Sequence, residues 1–316
     1  MSLFRREQNR RDWLSVAVYG ERIDIAQVER RRGGARPAVH ICESYAKRGS
    51  EVEALKSVAR AVRPARFRCS AVLDAADYQI QLVEAPSVPA KEVRSAVRWK
   101  LKDLLDYPVD TATVDVADVP TGPSGVARAH YVYAVSARNE HIAGRMKLLQ
   151  EAKFPLEAID VPEMAQRNIA QLYEEPGRGL ALLAFDDHGG LLTVTADGEL
   201  YMTRHTDISA AQLTEVRSDM SDPSVERLVL ELQRSLDHFD RQFSYISVSG
   251  MLLAPLPVDI GLDRHLGSSL GLPVQSLDLT EVLDFPGAPE LRDPTRQGYR
   301  LHIIGAALRD EPGAAA

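Results

Sequence analysis

Residues 179–205 read GLALLAF-DDHGG-LLTVTA-DG-ELYMTRH, and this stretch decides the fold. Leu180–Phe185 is an apolar strand and Asp186–Gly190 a turn. Leu191–Thr195 is a second strand, Asp197-Gly198 is a tight-hairpin signal, and Glu199–His205 is a third strand. The same plan stands near the start of the chain. Trp13–Tyr19 is strand-like and turns at Gly20-Glu21. Ile23–Val28 alternates, Arg30–Pro37 is a polar, Gly-containing turn, and Ala38–Tyr45 is a third strand. Each half therefore opens with three short antiparallel strands and continues into helical patterns. That repetition predicts two related α/β lobes.

Bulk properties agree. A chain of 316 residues suits two domains or one two-lobed unit. With 45% hydrophobic and 26% charged residues it can build a packed core, which excludes wholesale disorder. A net charge of -7 argues against a dominant phosphate-binding surface, and no aromatic residues interleave with Arg30–Arg32, so no nucleic-acid partner is expected. Cys42 and Cys69 lack metal-ligand spacing and read as buried hydrophobes of a reducing compartment. No apolar run reaches membrane-spanning length. Residues 1–12 lack the apolar core of a signal peptide and read as a flexible, solvated terminus. Leu3 and Phe4 beside Arg5, Arg6, Arg10 and Arg11 offer a lipid contact as the alternative.

A different block lies between the two triplets. Gln79–Val83 is a short strand, and Pro89 opens a helix over Ala90–Leu105 with Val93, Val97, Leu101, Leu104 and Leu105 at helical spacing. Thr111–Val116 and His130–Val135 are strands flanking a loop at 121–125. Residues 79–135 thus read as an inserted strand–helix–strand–strand subdomain. Helices are predicted over Asn139–Ala152 and Pro162–Tyr173, with a strand at Leu156–Val161 between them. Asp222-Pro223 introduces a long helix to about Gln242, whose stripe of Val225, Leu228, Leu232, Leu236, Phe239 and Phe243 is read as core. Strands at Tyr245–Ser249 and Val274–Leu277, a helix at Gly261–Gly271 and a closing helix at Gly298–Leu308 follow. Gly305-Ala306-Ala307 in that last helix would let another backbone approach closely.

Several segments together resemble the PilM-like and MshI-like branch of the actin-like ATPase superfamily. They are Val88-Pro89-Ala90-Lys91-Glu92-Val93, Ala158-Ile159-Asp160-Val161-Pro162, Phe185–Thr193, Glu231–Phe239 and Gly305-Ala306-Ala307-Leu308-Arg309. The resemblance implies a two-lobed actin-like (RNase H-like) fold. The first lobe would comprise 13–78 and 136–175, the inserted subdomain 79–135 and the second lobe 179–316.

It also implies a nucleotide cleft, which the residues keep only in part. Asp187-His188-Gly189-Gly190-Leu191-Leu192-Thr193 fits the second phosphate loop. There Asp187 would face metal or water, Gly189 and Gly190 would admit phosphate, and Thr193 would brace the turn. By composition alone the preferred reading of the same residues is a plain hairpin whose Asp and Gly serve the turn. In the first loop only Gly20 persists. Val18 stands for the metal carboxylate, and Asp24 for the family's lysine. One reversed charge at 4 Å is worth roughly 4 kcal/mol in an intermediate dielectric, half of the about 8 kcal/mol of a micromolar ligand. At the adenosine loop, Ser249-Gly250-Met251 replaces a Gly-Gly pair, and Met251 would crowd the base. The expectation is a vestigial cleft at Gly20, Asp187, Gly189, Gly190 and Thr193, with no cofactor, no metal and no catalysis. Binding of ATP with magnesium, as in a nucleotide-driven switch, is the alternative. A kinase-like enzyme is a third reading, but no first-lobe segment supplies its base.

By resemblance the function is that of a cytoplasmic scaffold at the inner face of the inner membrane, in a type IV, MSHA-like pilus or related secretion machine. It would dock the tail of a bitopic, PilN-like partner near the helix Ala90–Leu105. Contact with the assembly ATPase and homo-oligomerisation belong to the same expectation.

Overall fold

The computed structural model describes residues 12–31, 33–122, 129–215 and 222–310. Expectations for residues 1–11, for Arg32 and for the part of the 121–125 loop beyond Gly122 lie outside the described residues.

The first triplet is β1 (Trp13–Val18), β2 (Arg22–Glu29) and β3 (Ala38–Ala46), paired antiparallel. All six residues of β1 are buried, because helices cover both faces of a strand central to its sheet. α1 (Glu51–Val62) follows, opened by a reciprocal capping box between Ser50 and Glu53. β4 (Arg68–Val72) then returns parallel to β1. The inserted unit comes next: β5 (Tyr78–Glu84), α2 (Ala90–Lys100), β6 (Ala112–Val119) and β7 (Tyr131–Arg138). Its sheet order is β5-β7-β6, antiparallel throughout. α2 is shorter than predicted, because the chain tightens into a 3-10 turn at Leu101–Asp103. α3 (Asn139–Glu151) and β8 (Leu156–Asp160) complete the first sheet, in the order β3-β2-β1-β4-β8. α4 (Pro162–Ala170) follows.

The second lobe repeats this topology. β9 (Gly179–Phe185), β10 (Gly190–Ala196) and β11 (Glu199–Thr206) form its triplet. After α5 (Ala210–Glu215) and α6 (Pro223–Gln242), β12 (Val248–Leu253) adds parallel to β9. α7 (Leu262–Leu270) leads to β13 (Val274–Ser276), for an order of β11-β10-β9-β12-β13. The stripe read as core on α6 is core: Val225, Leu228, Leu232 and Phe239 are buried against the sheet. The strand expected at Tyr245–Ser249 lies three residues later. Tyr245 instead donates from its hydroxyl to Pro120 O (3.3 Å) and packs edge-on against Phe243.

The last helix, α8 (Leu301–Ala307), closes an exchange. α4 belongs in sequence to the first half but lies under the second sheet. There Gln166 Nε2 donates to Leu182 O (2.6 Å), Leu191 O (3.1 Å) and Thr193 Oγ1 (3.0 Å). α8 comes from the second half and packs Ile303, Ile304 and Ala307 in one cluster with Ala17, Ala26 and Val72 of the first sheet. The two helices cross where Gly305 meets Ala165. A Cβ on Gly305 would stand 2.1 Å from Ala165 O. The close backbone approach read from Gly305-Ala306-Ala307 is therefore present.

Candidate functional site

The repeated topology aims the two triplet hairpins at each other across an interlobe cleft. In the first hairpin Tyr19 N–H donates to Arg22 O (2.9 Å), and a Cβ on Gly20 would meet nothing within 4 Å. Packing thus does not demand glycine there. Val18 departs from its expected position. It is buried in the first-lobe core with Leu14, Val16 and Leu55 rather than facing the cleft. Tyr19, next to it, packs against the cluster beneath the sheet, with the Arg22 guanidinium 4.7 Å above its ring. Burial, then the neighbouring Asp24 carboxylate, pushes its hydroxyl far above the usual range.

Asp24 is also not the bare negative charge that the sequence suggested. It is 2% exposed, accepts from Arg22 Nε (3.1 Å) and Arg300 Nη1 (2.9 Å), and is bonded by Ser44 Oγ. Two guanidinium groups neutralise it, so repulsion of phosphate by Asp24 is not the obstacle.

The obstacle lies in the second hairpin. A phosphate needs free backbone N–H groups at that turn. Here the N–H groups of His188 (2.8 Å) and Gly189 (3.1 Å) donate to Asp186 Oδ1, and Asp186 N–H donates to Gly189 O (2.8 Å). A carboxylate already occupies the turn. Gly189, at φ 158°, presses on β11: a Cβ would lie 2.2 Å from Thr206 O. A Cβ on Gly190 would lie 2.6 Å from the Phe185 ring. Both glycines are required by these contacts alone. Asp187 reaches across the cleft to Arg22 Nη1 (3.2 Å), and His188 Nε2 stands 3.9 Å from Asp74 Oδ2. Thr193 does not brace the turn. It is fully buried within β10 and holds Gln166 of α4.

Behind the turn lies a cavity of about 290 Å³, lined by Pro162, Asp186, His205, Thr206 and His302. Glu163, fully buried at the start of α4, accepts from Tyr78 Oη (2.7 Å) and pairs with His205 Nε2 (2.9 Å). Gln166 presents its amide nitrogen to three acceptors, so its oxygen faces His302 Nε2 (3.0 Å), which donates. Burial, the largest influence, depresses the His302 imidazole pKa below its usual value. Sequence reading missed Glu163, Gln166, Tyr78 and His302, which stand on helices and strands with no motif of their own.

Magnesium triphosphate does not fit this residue set. The turn amides are spent on Asp186, Asp187 is paired with Arg22, and no carboxylate projects from the end of β1. Among the described residues no group of three His, Cys, Asp or Glu side chains is placed to hold a metal. The segment Ser249-Gly250-Met251, expected at the adenosine position, lies within β12. Met251 is buried in the second-lobe core within β12, so it does not crowd a base. The chain after β12 is pressed against residue 298, where a Cβ would stand 2.1 Å from Pro255 O.

The inserted subdomain shows a second feature. Trp99 of α2 is 70% exposed, with Leu104 and Val88 also exposed near it in sequence. The other tryptophan, Trp13, is buried with the Arg68 guanidinium 4.1 Å over its ring. Among the described residues no helix is long and apolar enough to cross a membrane.

These features define a two-lobed protein of the actin-like ATPase fold, with an inserted three-stranded subdomain and hairpins that contact each other across the cleft. No family model matches the sequence, and no curated protein does. Solved structures do. A chain of the PilM–PilN type IV pilus biogenesis complex matches with a TM-score of 0.73 at 22% identity, over 96% of this chain and 100% of that one. The cytoplasmic domain of EpsL, an inner-membrane component of the type II secretion system of Vibrio cholerae, gives 0.50 at 13% identity, over 95% and 96% of the two chains. A Bacteroides thetaiotaomicron protein with the actin-like ATPase fold gives 0.51 at 6% identity, over 96% and 98%. At these identities the likeness is one of fold.

Proposed function

We propose that this protein is a non-catalytic scaffold in a type IV pilus or related secretion machine, docking the cytoplasmic tail of a PilN-like inner-membrane protein. The observation that carries the reading is the end-to-end match, inserted subdomain included, to a chain of the PilM–PilN complex. The EpsL match supports the same setting. The non-catalytic part rests on the hairpin geometry, in which protein carboxylates take the amides and the cation that a triphosphate would need. The protein would then stand at the inner face of the membrane, held by its partner, and a MSHA-like system and contact with an assembly ATPase extend the same proposal.

The tail is expected against the inserted subdomain, where an extended segment can cover exposed apolar side chains or add a strand. Trp99 is a built-in reporter for it. Titrating the partner's cytoplasmic segment should shift Trp99 emission to the blue while buried Trp13 stays constant. Unchanged emission together with no retention in a pull-down overturns tail docking.

The second reading, an ATP-driven switch, draws on the retained Asp187-His188-Gly189-Gly190 hairpin at the cleft. A thermal shift with Mg-ATP separates the two. The scaffold reading expects less than about 1 °C, and a rise of several degrees would favour the switch.

A further inference from the structure

The second lobe ends in the edge strand β11, and its outward backbone groups can be followed one by one. Thr203 N–H donates to Tyr133 Oη (3.2 Å), and that hydroxyl donates to Tyr201 O (3.1 Å). The inserted subdomain thus seals this part of the edge. Thr203 O accepts from Arg204 Nη1 (3.0 Å). Outward-pointing residues alternate along an antiparallel strand, so the next outward N–H and C=O belong to His205. Among the described residues neither has a partner outside the sheet.

Beside this open step runs a groove of about 460 Å³ between β11 and α6. Leu192, Leu228 and Leu232 form its floor, each at most 3% exposed, so an occupant lies over them rather than penetrating. Arg204, Arg227 and Arg234 stand against Asp207 and Glu231, so the groove and its rim carry one net positive charge. Asp207 and Glu231 both pair with Arg227, at 2.6 and 3.6 Å. Arg204 meets only its neighbour's carbonyl, and Arg234 has no ion pair or hydrogen bond among the described residues. Two exposed guanidinium groups therefore flank an apolar floor next to an unpaired strand edge.

We propose that this groove is a second docking surface, on the second lobe, for an extended acidic segment of a protein partner. The segment adds to β11 at His205, lays an apolar side chain over the leucine floor and places carboxylates against Arg204 and Arg234. The site is separate from the subdomain surface assigned to the membrane partner's tail, so either can fail alone.

The test uses the full chain and a fluorescein-labelled peptide that alternates glutamate with valine, beside a lysine–valine counterpart. The acidic probe should bind saturably and slow amide exchange across residues 203–207. The double variant Arg204→Glu/Arg234→Glu should weaken it at least about tenfold and transfer preference to the lysine probe. Both residues are exposed, so the variant keeps its fold, checked by circular dichroism. Absence of saturable binding, equal binding of both probes, indifference to the double reversal, or protection confined to residues outside 203–207 would each overturn the proposal.

Discussion

Gly305→Ala adds one methyl group at the crossing of α4 and α8 and should be among the most damaging single changes in the chain. The new Cβ would stand 2.1 Å from Ala165 O, 2.7 Å from its carbonyl carbon and 3.1 Å from Ile169 Cγ1. A comfortable C···O approach is about 3.3 Å, so the helices must separate by about 1 Å. The first obstacle is backbone, so no rotamer change relieves it. Separation costs about 1–3 kcal/mol in packing. It also stretches the 2.9 Å bond from Asn168 Nδ2 to Gly305 O, and an unpaired buried donor costs a further ~1–3 kcal/mol. The helix propensity gained over glycine returns only about 1 kcal/mol. The net expectation is a loss of about 3 kcal/mol, read as a lower urea midpoint. Gly144→Ala on α3 is the control: its Cβ would meet nothing within 4 Å, so it should be neutral or stabilising by up to about 1 kcal/mol. A Gly305→Ala midpoint within about 0.5 kcal/mol of the parent, or equal shifts in the two variants, would refute the reasoning.

Asp24→Lys installs the cation that the sequence resemblance calls for, yet it should not restore Mg-ATP binding in calorimetry. It should also destabilise by several kcal/mol, because it sets a third cation beside Arg22 and Arg300 in a buried position. The Arg22–Asp187 pair is 34% and 51% exposed, so a double-mutant cycle to alanine should give a coupling below about 1 kcal/mol that vanishes in molar salt. His302 is held neutral by burial, with its pKa lowered. Above the unfolded value near 6.5 both states are uncharged and it contributes nothing. Below that value the unfolded chain takes up a proton that the folded chain resists, so stability falls as pH drops toward the folded pKa. His302→Asn should flatten urea midpoints measured between about pH 7.5 and 5.5.

The strand triplets were legible because three short runs with Gly-containing turns are a local pattern, twice repeated. β1 to β3 and β9 to β11 lie within a residue or two of the sequence reading. The capping signals of α6 worked for the same reason: Asp222 accepts from Ser224 N–H, as an N-cap ahead of a proline should. Other elements carried less local information. α1 reads only as a helical pattern without bounds, and β4 gives no strand signal, being five residues, Arg68-Cys69-Ser70-Ala71-Val72, with one β-branched side chain. β12 was placed too early because Tyr245, Ile246 and Val248 look like a strand, whereas Tyr245 is spent on Pro120.

The cleft shows the sharper limit. Motif spacing found the hairpin at Asp187 to Thr193, but it could not assign which carboxylate closes the turn. Asp186 does so, one residue before the motif. Nor could it foresee that Asp24 is neutralised by Arg300, 276 positions away. Long-range pairings are set by topology, and no window of sequence contains them.

The exchange of α4 and α8 has a consequence for biosynthesis. A ribosome making this chain finishes the first sheet long before it reaches residues 301–307, yet Ile303, Ile304 and Ala307 of α8 pack against that sheet's underside, in one cluster with Leu283 and Phe285 from the same late part of the chain. The nascent first half therefore waits with part of a greasy face exposed until α8 and the segment before it have been made. Messages broken or stalled late in translation should yield no usable half-molecule, only a substrate for chaperones and proteases. Full burial of the first sheet is thereby tied to synthesis of α8.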